Sequence, residues 1–210
     1  MIIDVIIPSM TTPERCQILK DSIRSLRESE LSIQFNVIVV ESFVSMDVGQ
    51  DRTIWYDGSK FNYSRAVRQG VDASSSMWVV IAHNDVMYHK RWMFEILKAH
   101  SDRQDILSFS PWNSYHNWHD TLFHSPSNII EGYRTSYEVV GWCVVVQRDT
   151  YVKLNTVDSS RHPDEIYASE IERCGIKHAL VRKSKVEHLT SKTIDCQDSS
   201  VDRLILLETT

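Results

Sequence analysis

The sequence predicts an α/β fold in a single domain, a mostly parallel sheet flanked by helices. Short β-branched apolar runs at Ile2–Ile7, Phe35–Val40 and Met77–Ala82 carry that expectation first. They are too short for helices and too evenly apolar for strands with one wet face, so they read as buried strands. A capped amphipathic stretch separates the first two runs. Strand, helix and strand in that order imply a right-handed crossover and a parallel pair. Each run also ends in a polar tip: Pro8-Ser9, Glu41-Ser42 and His83-Asn84-Asp85. Open α/β sheets bind ligands outside the carboxyl ends of their strands.

A chain of 210 residues can bury one core of this kind and is tight for two. The net charge of -5 argues against a broad nonspecific nucleic-acid surface and leaves room for a local basic groove. Cys16, Cys143, Cys174 and Cys196 lie far apart with no CxxC pair, the pattern of reduced thiols. The start is not a signal peptide, because it lacks a basic region and Asp4 interrupts the apolar run. No stretch reaches the roughly 20 apolar residues of a membrane span. The expectation is a soluble, cytoplasmic protein.

Along the chain, Thr11-Thr12-Pro13-Glu14 starts the first helix, with Ile18, Ile23 and Leu26 inward and Arg24, Arg27 and Glu28 outward. Residues 43–60 read as a loop, with Trp55 against the sheet. Asn62 caps a helix over Tyr63–Ala73 that sets Ala66, Val67 and Gly70 close to the sheet. A helix is expected over Tyr88–His100 and a strand over Ile106–Phe109. Residues 111–138 have no period and read as a long loop, a type that usually carries function. It holds Trp112, Tyr115, Trp118, Tyr133 and Tyr137 with His116, His119 and His124. His116 and His119 have a zinc-like spacing, but no third and fourth ligand follow. The aromatics suit stacking on a sugar or a base; the competing reading is a satellite apolar cluster.

Val139–Gln147 reads as a buried strand interrupted by Gly141-Trp142, where a bulge or a ligand can approach. Pro163-Asp164-Glu165 opens a helix with acids in its first turn, and Ile166, Ala168, Ile171 and Cys174 form its buried stripe up to Gly175. Val181–Val186 is extended, with His188 just beyond. The tail is polar until Leu204-Ile205-Leu206-Leu207, an apolar patch for docking on the domain or for a homodimer. There is no internal repeat.

Phe61-Asn62-Tyr63-Ser64, Gly70, Ala73 and Asn84-Asp85-Val86 fall in the register FN(F/Y)S...N.G...A.G...LFLNNDV. This stretch resembles the nucleotide-sugar domain of family 2 glycosyltransferases of the GT-A fold. A second register supports the resemblance. Members read ED.DL..R....G, then a strand and a terminal histidine, which places Asp164 on the second acid and His188 on that histidine. The likeness covers about residues 2–188. It implies a GT-A-like (Rossmann-like) fold and transfer of a sugar from a nucleoside-diphosphate donor, UDP first, to an acceptor hydroxyl.

On this resemblance residues 1–110 form the donor half, 111–190 the acceptor and catalytic half, and 191–210 a tail. Asp85 and His188 would hold Mn²⁺ or Mg²⁺ on the diphosphate, and Asp164 would be the base of an inverting transfer. Pro8, Ser9, Thr11 and Glu41 match the base and ribose loops. Asn62, Arg65, His83, Asn84 and Trp142 complete the donor set, and Trp112, His116 and Trp118 are acceptor candidates. The acceptor would be a glycan, a small molecule or a modified nucleic-acid base. Two departures stand out: His83 replaces the first acid of the usual Asp-x-Asp, and Pro163 the first acid of the Glu-Asp pair. They leave room for a non-catalytic nucleotide- or glycan-binding module. A nucleotidyltransferase-like enzyme is the other alternative, although Pro8–Thr12 lacks the glycines of a phosphate loop.

Overall fold

The computed structural model describes residues 1–113, 126–157 and 162–189. Its elements in chain order begin with β1 (Ile2–Ser9), α1 (Pro13–Ser29), β2 (Gln34–Glu41) and β3 (Arg52–Trp55). Next come α2 (Tyr63–Asp72), β4 (Trp78–Ala82), β5 (Val86–Tyr88), α3 (Trp92–Asp102) and β6 (Ile106–Trp112). The last are β7 (Ile129–Glu131), β8 (Cys143–Gln147), α4 (Arg148–Tyr151), α5 (Pro163–Arg173) and β9 (Lys177–His188). All nine strands join one sheet in the order β3-β2-β1-β4-β8-β6-β9-β5, with β7 on β9.

The half built on β3, β2, β1 and β4 is parallel, as the strand–helix–strand order predicts. Beyond it the sheet is mixed. β8 runs antiparallel to both β4 and β6, and β9 is parallel to β6 but antiparallel to β5 and β7. Apolar runs do not encode direction, so "mostly parallel" holds for the first half only.

Several expected boundaries move. β3 lies inside the expected 43–60 loop, because an edge strand needs no apolar run, and Trp55 is 56% exposed rather than packed on the sheet. β5 precedes α3, and Arg91 makes the break with a φ of 68°. β6 continues to Trp112, and β7 lies within the expected 111–138 loop. Gly141-Trp142 forms a turn, and the strand starts only at Cys143. Cys174 ends α5 in an exposed position, outside the buried stripe of Ile166, Tyr167, Ala168 and Ile171.

Two details make the first half testable. Ser64, Ala66, Val67, Gly70 and Val71 form the buried face of α2, above Ile6 and Val40. A Cβ on Gly70 would fall inside the van der Waals surface of Ile6 Cγ2 and 3.1 Å from Val40 Cγ2. Gly70→Ala gains about 1 kcal/mol of helix propensity but must lift the helix, a loss of about 1–3 kcal/mol. A net loss in urea denaturation is the expected result, and a stabilised variant would show that the helix moves freely.

Asp4, the polar interruption of β1, is 1% exposed. Its carboxylate accepts from Ser74 Oγ and Asn36 Nδ2 and from the N–H groups of Ser75 (2.9 Å) and Ser76 (3.0 Å). It therefore ties the turn after α2 to the sheet. Burial alone would raise its pKa, but these hydrogen bonds outweigh it and hold the carboxyl below its ordinary value. A depressed folded pKa contributes stability that is complete above the unfolded value and is lost as pH falls through the folded one. Asp4→Ala should lower stability by about 2–4 kcal/mol at neutral pH. The deficit against wild type should narrow on acidification.

Candidate active site

At the carboxyl end of β4 the chain turns through His83 and Asn84 into β5. His83 N–H donates to Trp142 O (2.9 Å), which joins this turn to the Gly141-Trp142 turn. Antiparallel pairing sets Val86 opposite His188, and Leu189 N–H donates to Asp85 O (3.1 Å). From the other side, Ser22 Oγ on α1 donates to Val86 O (2.7 Å). Residues 105 positions apart are thereby fixed side by side.

The side chains converge. His188 Nε2 lies 3.0 Å from Asp85 Oδ1 and 3.3 Å from His83 Nδ1. One ligand atom from each of the three falls within 4.8 Å of the others. Asp85 is 3% exposed. Burial, with the neighbouring charges of His188 and His162, pushes the His83 pKa down to about 4 against the opposing pull of Asp85. Its imidazole is therefore neutral at pH 7, with a lone pair to offer. Trp142 stacks on His188 at 5.5 Å and 13°, and Tyr63 sets its ring edge-on to His83 at 5.2 Å.

These separations fit a divalent cation. Bonds of about 2.1 Å put adjacent octahedral ligands about 3 Å apart. One carboxylate and two imidazoles suit a first-row transition ion better than Mg²⁺, which prefers oxygen alone.

Asp164 stands in the first turn of α5, after His162 at the cap and Pro163 at the first helical position. Gly141 N–H donates to its carboxylate. A Cβ on Gly141 would overlap that carboxylate, so the turn needs glycine for close approach. Burial raises the Asp164 pKa, against opposing pulls from His162, the Gly141 N–H and His188. A carboxylate shifted toward neutrality is the stronger proton acceptor. One turn thus links the two groups: Gly141 touches Asp164, and Trp142 lies on His188.

A buried imidazole holds that turn in place. His178 Nδ1 lies 2.6 Å from Ser108 Oγ, which also meets Tyr167 Oη of α5 at 2.8 Å. Its Nε2 lies 2.9 Å from Glu138 O and 3.2 Å from Ser110 Oγ, and the latter accepts from Val140 N–H. Helix α5 and the chain leading into Gly141 are therefore tied to one side chain. Burial pushes the His178 pKa down to about 4, so it is neutral near pH 7.

The loops after β1 and β2 also meet. Glu41, 1% exposed, accepts at Oε1 from the N–H groups of Thr11 (3.0 Å), Ser42 (2.9 Å) and Phe43 (2.9 Å). Ser9 Oγ lies 2.6 Å from Thr11 Oγ1, and Pro8 is buried beside Val40. The Glu41 carboxylate shapes this end of the sheet by joining the loops. Asn62 caps α2 by accepting from Arg65 N–H, as expected. Asn84 is half-buried in the turn beside the triad.

Some candidates lie elsewhere. Arg65 pairs with Asp57 at 3.0 Å with half of its side chain exposed, and two residues along a helix point it away from Tyr63 and the triad. Trp112 is 6% exposed, packed on Leu180 with the Arg182 guanidinium 5.5 Å from its ring. Among the described residues it belongs to a satellite apolar cluster with Leu180, Ile130 and Tyr137. Trp142, 7% exposed, offers its area to His188. His116, Trp118, Cys196 and the apolar tail lie outside the described residues.

Sequence reasoning placed His83 in the donor set instead of among the metal ligands, named Tyr63 only as a motif residue, and passed over His178. An imidazole two residues before Asp85 is itself a ligand type, which was the available signal for His83.

No family model matches the sequence, and no curated protein matches it. Solved structures do share its shape. One is glucosyl-3-phosphoglycerate synthase from Mycobacterium tuberculosis in complex with Mn²⁺, uridine diphosphate and glucosyl-3-phosphoglycerate. It is 13% identical with a TM-score of 0.60, over 93% of this chain and 74% of that one. The same enzyme with Mn²⁺, uridine diphosphate and phosphoglyceric acid is 12% identical with a TM-score of 0.62, over 93% and 73%. At this identity the likeness is one of fold: the chain shares the α/β fold of these synthase structures.

Proposed function

We propose that the chain is a metal-dependent glycosyltransferase that moves a hexosyl or pentosyl unit from a nucleoside-diphosphate donor, UDP first, to an acceptor hydroxyl. The observation that carries this reading is the convergence of His83, Asp85, His188 and Asp164 around the Gly141-Trp142 turn. It lies in a fold shared with structures that contain Mn²⁺ and uridine diphosphate. His83, Asp85 and His188 would hold the cation, with Mn²⁺ favoured over Mg²⁺ by the two imidazoles. Such an ion neutralises the negative charge that grows on a diphosphate leaving group.

Asp164 accepts the proton of the attacking hydroxyl, and attack opposite the leaving group inverts the anomeric centre. Gly141 N–H fixes the carboxylate, and Trp142 fixes the His188 ring. The loops around Ser9, Thr11 and Glu41 take the nucleotide end, with residues 1–110 as the donor half and 111–190 as the acceptor half. A glycan, a small molecule or a hydroxylated nucleic-acid base would serve as acceptor. Among the described residues no helix is long and apolar enough to cross a membrane. Of the two departures behind the binding-module reading, His83 joins Asp85 and His188 in a group that could hold a metal, while Pro163 still stands in place of an acid.

The test is thermal stabilisation by UDP-, GDP-, TDP- and CMP-linked sugars with and without Mn²⁺. A Mn²⁺-dependent rise in Tm with UDP-sugars is the expected result. No shift with any donor would overturn the reading.

A further inference from the structure

A cavity of about 30 Å³ borders Asp164, with Tyr63, Gly141, Thr156, Tyr151 and Tyr167 among its lining residues. It has room for one group of the size of a hydroxyl or a water. Two of its three tyrosines have hydrogen-bond partners: Tyr151 Oη lies 3.1 Å from Thr156 Oγ1, and Tyr167 Oη lies 2.8 Å from Ser108 Oγ. The third does not. The Tyr63 hydroxyl is buried and has no hydrogen-bond partner among the described residues. Buried polar groups almost always have one, and each exception asks for an explanation.

Position supplies it. The Tyr63 ring rests edge-on against His83 of the metal cluster on one side and lines the cavity that Asp164 also borders. Helix α2 holds it there, since the next residue, Ser64, and the rest of the apolar face are buried against the sheet.

We propose that the Tyr63 hydroxyl is a substrate-recognition group, held unpaired in the free protein to hydrogen-bond one hydroxyl of a sugar-like ligand beside Asp164. This rests on the glycosyltransferase reading and adds a specificity-determining residue to it. The ligand chemistry is a polyol hydroxyl, on either the donor sugar or the acceptor. A phenylalanine would fill the same space at the metal cluster, so the hydroxyl is not needed for packing. An orphaned buried hydroxyl destabilises the free fold and is retained where binding completes it.

The experiment compares wild type with Tyr63→Phe, which removes one oxygen atom and keeps the ring. A hydroxyl unused by the fold predicts a Tm equal to or above wild type. Catalytic efficiency for UDP release from a UDP-sugar with Mn²⁺ and an added polyol acceptor should fall roughly tenfold, the worth of one neutral hydrogen bond. If the partner is on the donor, the affinity for the UDP-sugar falls by that factor. One singly deoxygenated donor then loses the same factor in wild type and nothing further in the variant. If the partner is on the acceptor, donor affinity is unchanged, and kcat/KM for an added polyol acceptor falls by that factor. A lowered Tm would assign the hydroxyl to the fold and overturn the proposal. Equal donor affinity and equal kcat/KM for both donor and acceptor in an active wild-type background would overturn it alone. A wild type that binds no UDP-sugar would overturn it together with the glycosyltransferase reading.

Discussion

Asp85→Asn should lower Mn²⁺ affinity by at least about 100-fold and remove metal-dependent stabilisation by the nucleotide donor. Loss of a group that only orients a metal ligand already weakens binding by about 10–100-fold. Here the substitution removes the one carboxylate of the cluster. The asparagine amide keeps the shape, so the β5–β9 pairing around Val86 and His188 should persist. Titration calorimetry with Mn²⁺, followed by the donor panel, measures both effects. Wild-type affinity in the variant would remove the cluster from metal binding. A variant that binds Mn²⁺ weakly yet transfers sugar at the normal rate would uncouple the metal from catalysis.

Asp164→Asn should reduce transfer by about 10²–10⁴-fold, the usual worth of a positioned general base. Donor affinity should be preserved. The amide oxygen can still accept from Gly141 N–H, so the turn that carries Trp142 stays in place. Stability should move the other way. Burial raises the Asp164 pKa in the folded protein. A raised carboxylate pKa means that stability is greatest below the unfolded value and falls as pH rises through the folded one. The ionised form of this carboxylate is thus a destabilising group. Asp164→Asn is expected to raise Tm where that form prevails, with the gain vanishing in acid. Lower activity with higher stability is the mark of a group kept for chemistry. Transfer at the wild-type rate would remove Asp164 from the role of base.

The parallel half of the fold was legible because its signals are local. Buried strands show as apolar runs, Thr12-Pro13 and Asn62 mark helix starts, and Gly70 marks a close approach. Strand direction in the second half was not legible. β8 enters antiparallel through pairing with β4 and β6, and nothing in Cys143–Gln147 itself states which neighbours it meets. β3 and β7 were hidden for a related reason. Edge strands of three or four residues take their identity from the strand beside them.

The sequence by itself determined which residue types stand at the strand ends, and the register of its resemblance to family 2 glycosyltransferases singled out Asp85, Asp164 and His188. It could not state how they meet, because the distances that matter join residues up to 105 positions apart. Only the tertiary structure turned His83 from a missing acid into a neutral imidazole 3.3 Å from His188. It also covered Trp112 with Arg182 and left the Tyr63 hydroxyl buried and, among the described residues, without a partner, on a ring that meets His83 and lines the cavity beside Asp164. Burial and partner choice are properties of the packed whole. A linear pattern predicts which side chains can do chemistry, while packing decides which are dry, which are paired and which wait for a ligand.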